Sequence, residues 1–248
     1  MTHTILLIGA GQLGSRYLQG FVVSNSDLKI TVVDPSLDSL EAAKSRWTRA
    51  GGEGSLHKIH WLESLPSDLE HVDVALVVTS SKGRVSLIKE IADAFKVRYW
   101  ILEKVLAQSS EELEAIGNVL AGCEGAWVNT PRRMMTWHRS LKKAFTSLGP
   151  LDVSYSAGLW GLACNSIHFI DLVAWWSGES LVSIDTAGLE NNWRESKRAG
   201  YFEITGELVA HFSDGTMLRL SSKECADAHP IQVTNISESS VTPNSLRS

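Results

Sequence analysis

A short apolar run that ends in three closely spaced glycines constrains the fold of this chain more than any other feature. The run covers residues 4–8, and Gly9, Gly11 and Gly14 follow it as G-x-G-x-x-G, with a helical pattern over 12–24. A tight glycine turn from a buried strand into a helix is typical of the first β-α unit of a doubly wound parallel sheet. Because no basic residues precede the run, a buried strand explains it better than a signal peptide.

The first half of the chain continues to alternate strand and helix patterns. Apolar, β-branched runs predict further strands at 28–34, 58–64, 72–80, 98–105 and 125–131. Helical patterns lie between them at 36–47, 83–95 and 109–122, with Ser36 and Ser109 placed to cap two of them. The run at 72–80 is apolar at odd and even positions alike, as expected of a strand covered by helices on both faces. This alternation of strands and helices predicts a Rossmann-type, doubly wound and mostly parallel sheet.

The second half has a different pattern. It predicts a long helix over 132–149, a strand from 150, and then a helix of roughly a dozen residues around His168, capped by Asn165 or Ser166. Residues 200–212 alternate between apolar and polar side chains, with Glu203 on the polar side, and a turn at 213–215 leads into a returning strand. This predicts an α+β domain with an open, largely antiparallel sheet.

The length of 248 residues allows one large domain or two small ones. The change of pattern places a nucleotide-binding domain at 1–125 and a second, substrate-binding or dimerisation domain at 126–236. The serine-rich segment 237–248 contains few apolar residues, and we expect a poorly ordered tail there.

Composition excludes several classes of function. The net charge of −5 and the absence of a basic field argue against nucleic acid and anionic membranes as partners. No apolar stretch approaches the roughly 20 residues that span a bilayer. Cys123, Cys164 and Cys225 are widely spaced, and no histidines pair at helical spacing, so neither a disulfide framework nor a metal site is predicted. We expect a cytoplasmic, reducing environment.

The glycine motif also carries chemistry. Gly9 would form the tight turn, Gly11 would let a pyrophosphate approach the backbone, and Gly14 would allow close packing of helix on strand. The first helical residues, Gln12 and Leu13, would then offer N–H groups to the phosphates at the positive end of the helix. The alternative is a tight turn that binds no ligand.

Asp34 ends the second predicted strand, 25 residues after Gly9. A carboxylate there would hydrogen-bond the adenosine ribose and repel a 2′-phosphate, so it favours NAD over NADP. The alternative is an acid that only flanks a helix ahead of Pro35. Thr79 and Ser80 end the strand across the point where the strand order reverses, where a dinucleotide would lie.

Two further motifs carry a resemblance to a known family. Glu103-Lys104-Val105 follows a Rossmann strand, and a helix with His168 and Asp171 lies about sixty residues later. With the glycine motif, this resembles the Gfo/Idh/MocA oxidoreductases, the relatives of glucose–fructose oxidoreductase and inositol dehydrogenase. The resemblance covers residues 4 to 222.

The resemblance implies an N-terminal Rossmann domain, a C-terminal domain with an open sheet, and NAD(P)-dependent chemistry on sugars, cyclitols and related polyols. Lys104 matches the lysine that contacts substrate and nicotinamide ribose, and Glu103 matches its neighbour. His168 matches the active-site histidine, Asp171 a structural aspartate, and Trp160 a tryptophan near the nicotinamide. The family also implies a homodimer or tetramer formed through the C-terminal sheet.

The sequence departs from the family pattern in three places. Val105 stands where the family usually has proline, and Cys164 stands where it often has an aspartate one turn before the histidine. Family members also generally continue with further strands and a helix, so the second domain is expected to be truncated.

These residues suggest roles in hydride transfer. His168 would remove the substrate proton, and Lys104 would stabilise charge on the same oxygen. Asn165 would hydrogen-bond a substrate hydroxyl. For His168 the alternative is a packed ring that donates to a backbone carbonyl, and for Lys104 a surface ion pair with Glu103 or a neighbour.

The remaining candidates are two adjacent arginines. Arg132 and Arg133 would bind a phosphate or carboxylate on the substrate, or else form a solvated first turn of a helix. The sequence therefore predicts an NAD(P)-dependent oxidoreductase acting on a sugar or sugar derivative. The alternative is a non-catalytic Rossmann protein that binds NAD or a sugar and is derived from the same family.

Overall fold

A computed structural model of the chain describes residues 2–67, 69–145, 148–196, 200–224, 227–235 and 240–241. The chain divides into two compact units, residues 1–129 and 130–248. The division falls after Asn129 rather than at residue 125, because the strand at Gly125–Val128 pairs with the first sheet. In the described ranges, no helix is long and apolar enough to cross a membrane.

The first unit is a six-stranded parallel sheet with helices between its strands. The strands are β1 (His3–Ile8), β2 (Leu28–Val33), β3 (Lys58–Leu62), β4 (His71–Val77), β5 (Lys96–Leu102) and β6 (Gly125–Val128). The helices are α1 (Gln12–Phe21), α2 (Leu37–Arg49), α3 (Arg84–Ala94) and α4 (Ser110–Leu120). The order β3-β2-β1-β4-β5-β6 confirms the Rossmann fold that the sequence predicts.

The sheet is buried on both faces, as its continuous apolar strands require. Along β1, Leu6 and Ile8 join a cluster with Trp100, whereas Leu7 joins the opposite cluster with Trp47. Side chains alternate across a strand, so one strand supplies both cores. The capping residues also match the prediction: Ser36 accepts from Ser39 N–H and Ser109 from Glu112 N–H.

The second unit is a mixed sheet that packs against two helices. Its strands are β7 (Leu151–Ala157), β8 (Leu181–Asp185), β9 (Arg194–Glu195), β10 (Phe202–Glu203), β11 (Gly206–Phe212), β12 (Met217–Ser222), β13 (Gln232–Asn235) and β14 (Ser240–Val241), and its helices are α5 (Thr136–Phe145) and α6 (Leu162–Ser177). The main sheet has the order β14-β13-β7-β12-β11-β8. Within this sheet β7 and β12 pair in parallel and the other neighbours pair antiparallel, which confirms the largely antiparallel sheet.

Helix α6 starts earlier than the sequence indicates. Gly161, with φ of +79°, precedes its first residue, so Asn165 and Ser166 lie inside the helix instead of capping it. The carboxylate of Glu203 accepts the Ala163 N–H at 2.9 Å. A cap supplied from a distant strand leaves no local signal in the sequence, and this explains the misplaced start.

Two predicted elements are each interrupted. The helix expected over 132–149 is a 3-10 turn (Pro131–Met134), then an extended Met135, and then α5. The strand expected over 200–212 breaks between β10 and β11. There Gly206 has φ of +109°, and a Cβ on it would clash with the backbone at Gly188.

Of the predicted tail, 237–239 and 242–248 lie outside the described residues, while Ser240 and Val241 form β14.

His138 lies in the core of the second unit with its ring among aromatic side chains. It is 3% exposed, and its ring centroid is 4.7 Å from that of Trp137 and 5.2 Å from that of Trp176. Neither ring nitrogen has a hydrogen-bond partner in the described part of the chain. Burial, helped by the charge of Arg132, lowers the pKa of His138 to about 4.

This buried imidazole should make the protein sensitive to acid. With a folded-state pKa of about 4 and an unfolded-state pKa near ~6.5, the unfolded chain takes up a proton first, so stability falls as pH drops from 6.5 towards 4. The loss is at most about 3 kcal/mol. His138→Phe should flatten this part of the curve of unfolding free energy against pH, measured by urea unfolding. His60→Gln, which removes an exposed imidazole, should leave the curve unchanged, and an unaltered slope in His138→Phe would contradict the assignment.

Candidate functional site

The loop between β1 and α1 has the geometry that its three glycines suggest. Gly9 has φ of +100°, and a Cβ there would lie 2.9 Å from the Val78 carbonyl oxygen. A Cβ on Gly14 would clash with the carbonyl of Gly9. Gly11 differs, because a Cβ on it would meet nothing within 4 Å. The outer two glycines are therefore required by packing, whereas Gly11 leaves open backbone that an external group can approach.

The open backbone leads directly into the first turn of α1. Gly11 is the N-cap residue and contributes no side-chain cap, and the next two residues, Gln12 and Leu13, are exposed. The N–H groups of a first helical turn have no partners within the helix, and they attract anions. This turn therefore fits the pyrophosphate of a dinucleotide.

Asp34 lies at the end of β2, beside the glycine loop. Its Oδ2 accepts the Ala10 N–H at 2.7 Å, and its Oδ1 accepts the Ser36 N–H at 2.9 Å. The carboxylate thus fixes the glycine loop and flanks α2, so the helix-flanking alternative describes part of its role. A carboxylate has about four acceptor positions, so two backbone bonds leave capacity for ribose hydroxyls.

Thr79 and Ser80 follow β4, and both are half-buried. The Thr79 hydroxyl donates to the Ser80 carbonyl at 3.2 Å. A Cβ on Gly9 would lie 3.5 Å from the Thr79 methyl group, so this loop lies against the glycine loop. The structure therefore brings together the glycines, Asp34 and Thr79, all at the carboxyl ends of the strands.

A buried arginine ties this region to the segment that contains Lys104. Arg84, the first residue of α3, is 1% exposed. Its guanidinium donates to the carbonyls of Glu103 at 2.5 Å, Val105 at 2.6 Å and Leu106 at 3.0 Å, and also to the Thr79 carbonyl. One side chain thus fixes the ends of both β4 and β5. The burial of Arg84 leaves no signal in the sequence, because an arginine at the start of a helix has the pattern of a solvated residue.

Glu103 is also buried, at 5% exposure. Its Oε1 accepts the Tyr17 hydroxyl at 2.8 Å and the Asn129 side-chain amide at 2.6 Å. Burial and the nearby carboxylate together raise the pKa of Tyr17, so the phenol stays protonated and donates. The Glu103 carboxylate thus anchors the segment to α1 and to the end of β6.

Lys104 follows these anchored residues and is half-buried. The peptide bond between Lys104 and Val105 is cis. The Glu103 carboxylate is buried and bonded to Tyr17 and Asn129, which does not suit a surface ion pair with Lys104. An ion pair of Lys104 with another neighbour stays the alternative to a role at the site. The backbone on both sides of Lys104 is held by Arg84, so the lysine is carried on a fixed segment.

In the second unit, α6 carries the other predicted group. His168 is half-buried on this helix, and Cys164, one turn earlier, is exposed. The Asn165 side chain donates to the Trp160 carbonyl at 2.8 Å, so its amide is partly used by the turn that precedes the helix. A further candidate, which the sequence pattern does not predict, is Glu203.

Glu203 places a carboxylate at the first turn of α6. Its Oε2 accepts from Ala163, and its Oε1 lies 3.1 Å from where a Cβ on Gly161 would be. A carboxylate is favoured at the positive end of a helix. The helix that carries His168 therefore has an acid at the turn that contains Cys164, supplied by β10.

The two neighbouring arginines have different surroundings. The guanidinium of Arg133 forms a bidentate ion pair with the carboxylate of Asp171, so the charges of both side chains are paired. This contact gives Asp171 the structural role that the resemblance implies. Arg132 lies over the Phe169 ring, 4.1 Å from its centroid, and burial lowers its pKa. No described carboxylate pairs with Arg132, so it is the better of the two candidates for a substrate anion.

Trp160 forms part of an aromatic group in the second unit. It meets Tyr155 and Phe169 edge to face, with ring centroids 5.2 Å and 5.3 Å apart. Its indole N–H donates to the Ser221 carbonyl at 2.9 Å. The ring is therefore fixed beside Phe169, the neighbour of His168 in sequence.

Comparison with known proteins supports the fold through structure alone. No protein-family model and no curated protein matches the sequence. Among solved structures, myo-inositol 2-dehydrogenase from Lactobacillus plantarum is 18% identical with a TM-score of 0.67, covering 97% of this chain and 76% of its own. Myo-inositol dehydrogenase from Lactobacillus casei is 17% identical with a TM-score of 0.66, covering 94% and 71%.

A third similar structure is the WlbA dehydrogenase from Chromobacterium violaceum. It is 19% identical with a TM-score of 0.65, and the match covers 94% of this chain and 72% of that chain. At identities this low, the structural likeness establishes the fold alone. The chain has the fold of the inositol dehydrogenases and related Gfo/Idh/MocA oxidoreductases.

Proposed function

We propose that the protein is an NAD-dependent oxidoreductase that transfers a hydride between nicotinamide and a hydroxyl or carbonyl group of a sugar or sugar derivative. The observation that carries the proposal is the glycine loop, where open backbone at Gly11 adjoins the uncapped first turn of α1 and Asp34 stands alongside. The similar structures add support, because one was solved with NAD(H) and myo-inositol and another with NADH and UDP-GlcNAcA.

The chemistry divides between cofactor and protein. A bound nicotinamide supplies or accepts the hydride. The protein then has to hold the substrate oxygen and to remove or return its proton. In this proposal the ammonium of Lys104 donates a hydrogen bond to the substrate oxygen as negative charge develops. His168 is the candidate from the sequence for the group that takes the proton.

Lys104 suits this role because its backbone is held rigidly. Arg84 binds the carbonyls of residues on both sides of it, and Glu103 binds Tyr17 and Asn129. A catalytic group has to be held to within a fraction of an ångström, and buried supporting bonds achieve this. Arg84 and Glu103 are therefore positioning residues for Lys104 in this mechanism.

We assign Glu203 a supporting role in the second unit. The resembled family often has an aspartate where Cys164 stands, and the carboxylate of Glu203 lies at that same helical turn. Its negative charge would favour the protonated imidazole that forms when His168 takes a proton. Arg132, stacked on Phe169, would bind a carboxylate or phosphate of the substrate.

One observation favours a second candidate function. Cys164 carries a thiol where the resembled family often has a carboxylate, and if Glu203 does not replace that carboxylate, the chain binds NAD or a sugar without turnover. A wild-type protein that binds NAD(H) tightly, yet leaves absorbance at 340 nm unchanged across a panel of sugars and cyclitols, would favour this binding protein over the enzyme.

The first prediction from the proposed function concerns cofactor choice. Asp34→Asn should weaken NAD binding about tenfold and raise the affinity for NADP relative to NAD, because the neutral amide loses charge-assisted bonds to the ribose and no longer repels a 2′-phosphate. Isothermal titration with both dinucleotides measures this. Asp38→Asn, which removes an exposed acid from the first turn of α2, is the matched control. An unchanged ratio of the two affinities would argue against the assignment.

The second prediction concerns Lys104. Lys104→Met should lower turnover by at least about 100-fold and change NAD affinity little, because the ammonium acts mainly on the developing charge. Lys82→Met removes an exposed lysine from the neighbouring loop and should keep full turnover. Should Lys104→Met retain its rate, the mechanism is wrong even if NAD binds.

The third prediction separates charge from capping at Glu203. Glu203→Gln keeps an oxygen for the Ala163 N–H but loses the charge, so turnover should fall about tenfold while the unfolding temperature stays within about 2 °C. Glu203→Ala should lower both. Glu207→Gln, on β11, is the control and should change neither. Full activity in Glu203→Gln would show that Glu203 only caps the helix and that its charge plays no part in turnover.

A further inference from the structure

A groove lined by three arginines runs between α1 and α2 of the first unit. Its volume is about 430 Å³, and it is lined by Gln12, Arg16 and Gln19 from α1, by Arg46 and Arg49 from α2, and by Ala50, which caps the end of α2. Residues three and four apart on a helix share one face. The sequence therefore places the three α1 residues on one face of that helix and the two arginines of α2 on one face of the other.

The charges of the three guanidinium groups are not neutralised within the described part of the chain. No carboxylate there forms an ion pair with Arg16, Arg46 or Arg49. Arg46 and Arg49 are three residues apart on one helix, a spacing at which like charges repel. The one acid four residues from Arg49 is Glu53, and it accepts the Thr48 hydroxyl instead. The groove therefore carries local positive charge within a chain whose net charge is −5. Such a cluster of positive charge favours the binding of an anion.

Arg46 is held in place before any ligand arrives. Its Nη1 donates to the Ser15 Oγ at 2.9 Å, and the Ser15 hydroxyl, which is fully buried, donates in turn to the Gly11 carbonyl at 2.9 Å. One guanidinium nitrogen is thus fixed to the core of the unit. Arg16 and Arg49 lie exposed on either side of the groove. A preorganised arginine loses less freedom on binding than a mobile one.

We propose that this groove binds a small anion that carries at least two phosphate groups. A planar guanidinium presents paired N–H donors that match phosphate oxygens, and three of them supply charge for more than one phosphate. The groove is of the size that small ligands occupy. The acidic chain as a whole disfavours a nucleic acid as occupant. This proposal does not rest on the proposed hydride transfer: the groove uses neither Asp34 nor Lys104, and Gln12 is the one lining residue that it shares with the glycine loop and first turn of α1.

Titration calorimetry with inorganic pyrophosphate tests the proposal directly. The wild-type protein should bind one pyrophosphate, at least about tenfold tighter than inorganic phosphate, because two groups engage separate arginines. Arg16→Gln/Arg49→Gln should weaken pyrophosphate binding at least tenfold. Both residues are exposed, so the variant should fold normally. Lys44→Gln/Lys89→Gln removes the same charge from exposed positions outside the groove and should change the affinity less than twofold.

Two further variants distinguish the groove from the glycine loop as the place where pyrophosphate binds. Arg46→Gln should weaken pyrophosphate binding as well, whereas Gly11→Val, which alters the glycine loop alone, should not. If Gly11→Val abolishes the binding and the arginine variants keep it, the anion binds at the glycine loop and the proposal fails. No heat with millimolar pyrophosphate, or tighter binding of a single-stranded oligonucleotide that the arginine variants lose, would also overturn it.

Discussion

The buried guanidinium of Arg84 holds together the part of the first unit on which the proposed chemistry depends. Burying a charge is costly unless its hydrogen bonds are made, and here carbonyls of four residues accept from one side chain. Those carbonyls belong to the loops that follow β4 and β5, two neighbouring strands. The two loops could separate only by leaving several buried polar groups without partners at once. The loop that carries Lys104 is therefore held by buried hydrogen bonds.

In the second unit, a carboxylate fixes the helix that carries His168. Helix α6 begins after a glycine with positive φ and has no capping side chain of its own, and Glu203 from β10 binds its first turn. The same residue brings negative charge to the helix that carries His168. Arg133 and Asp171 join the segment before α5 to the middle of α6. The candidate groups of both units thus lie on elements that are secured by buried or partly buried polar bonds.

Much of this arrangement could be predicted from the sequence, and the failures share one cause. The glycine motif, the strand alternation and the Ser36 and Ser109 caps are local patterns, and the structure confirms them. The start of α6, the break before β11 and the roles of Arg84 and Glu203 depend on partners far away in the chain. From sequence, Glu203 looks like an exposed position of an alternating strand, and Arg84 like a helix surface residue. Neither contact leaves a periodic signal.

The different surroundings of Arg132 and Arg133 also could not be predicted from local sequence patterns. Both follow Pro131, and sequence alone gives them equal claims on a substrate anion. The fold pairs Arg133 with Asp171 and stacks Arg132 on Phe169, so only one of them keeps its charge available. Local pattern thus names the candidate chemistry, and tertiary contacts decide which residue can perform it.

The central claim is that a dinucleotide binds across the open backbone at Gly11. A valine there meets no protein atom within 4 Å of its Cβ, so the fold should accept it, whereas the pyrophosphate should be excluded. Calorimetric titration of NAD into the wild type and Gly11→Val tests this most directly. We expect saturable binding to the wild type and at least about tenfold weaker binding to the variant, with equal unfolding temperatures. Equal NAD affinity in both proteins, or no binding to the wild type, would contradict it.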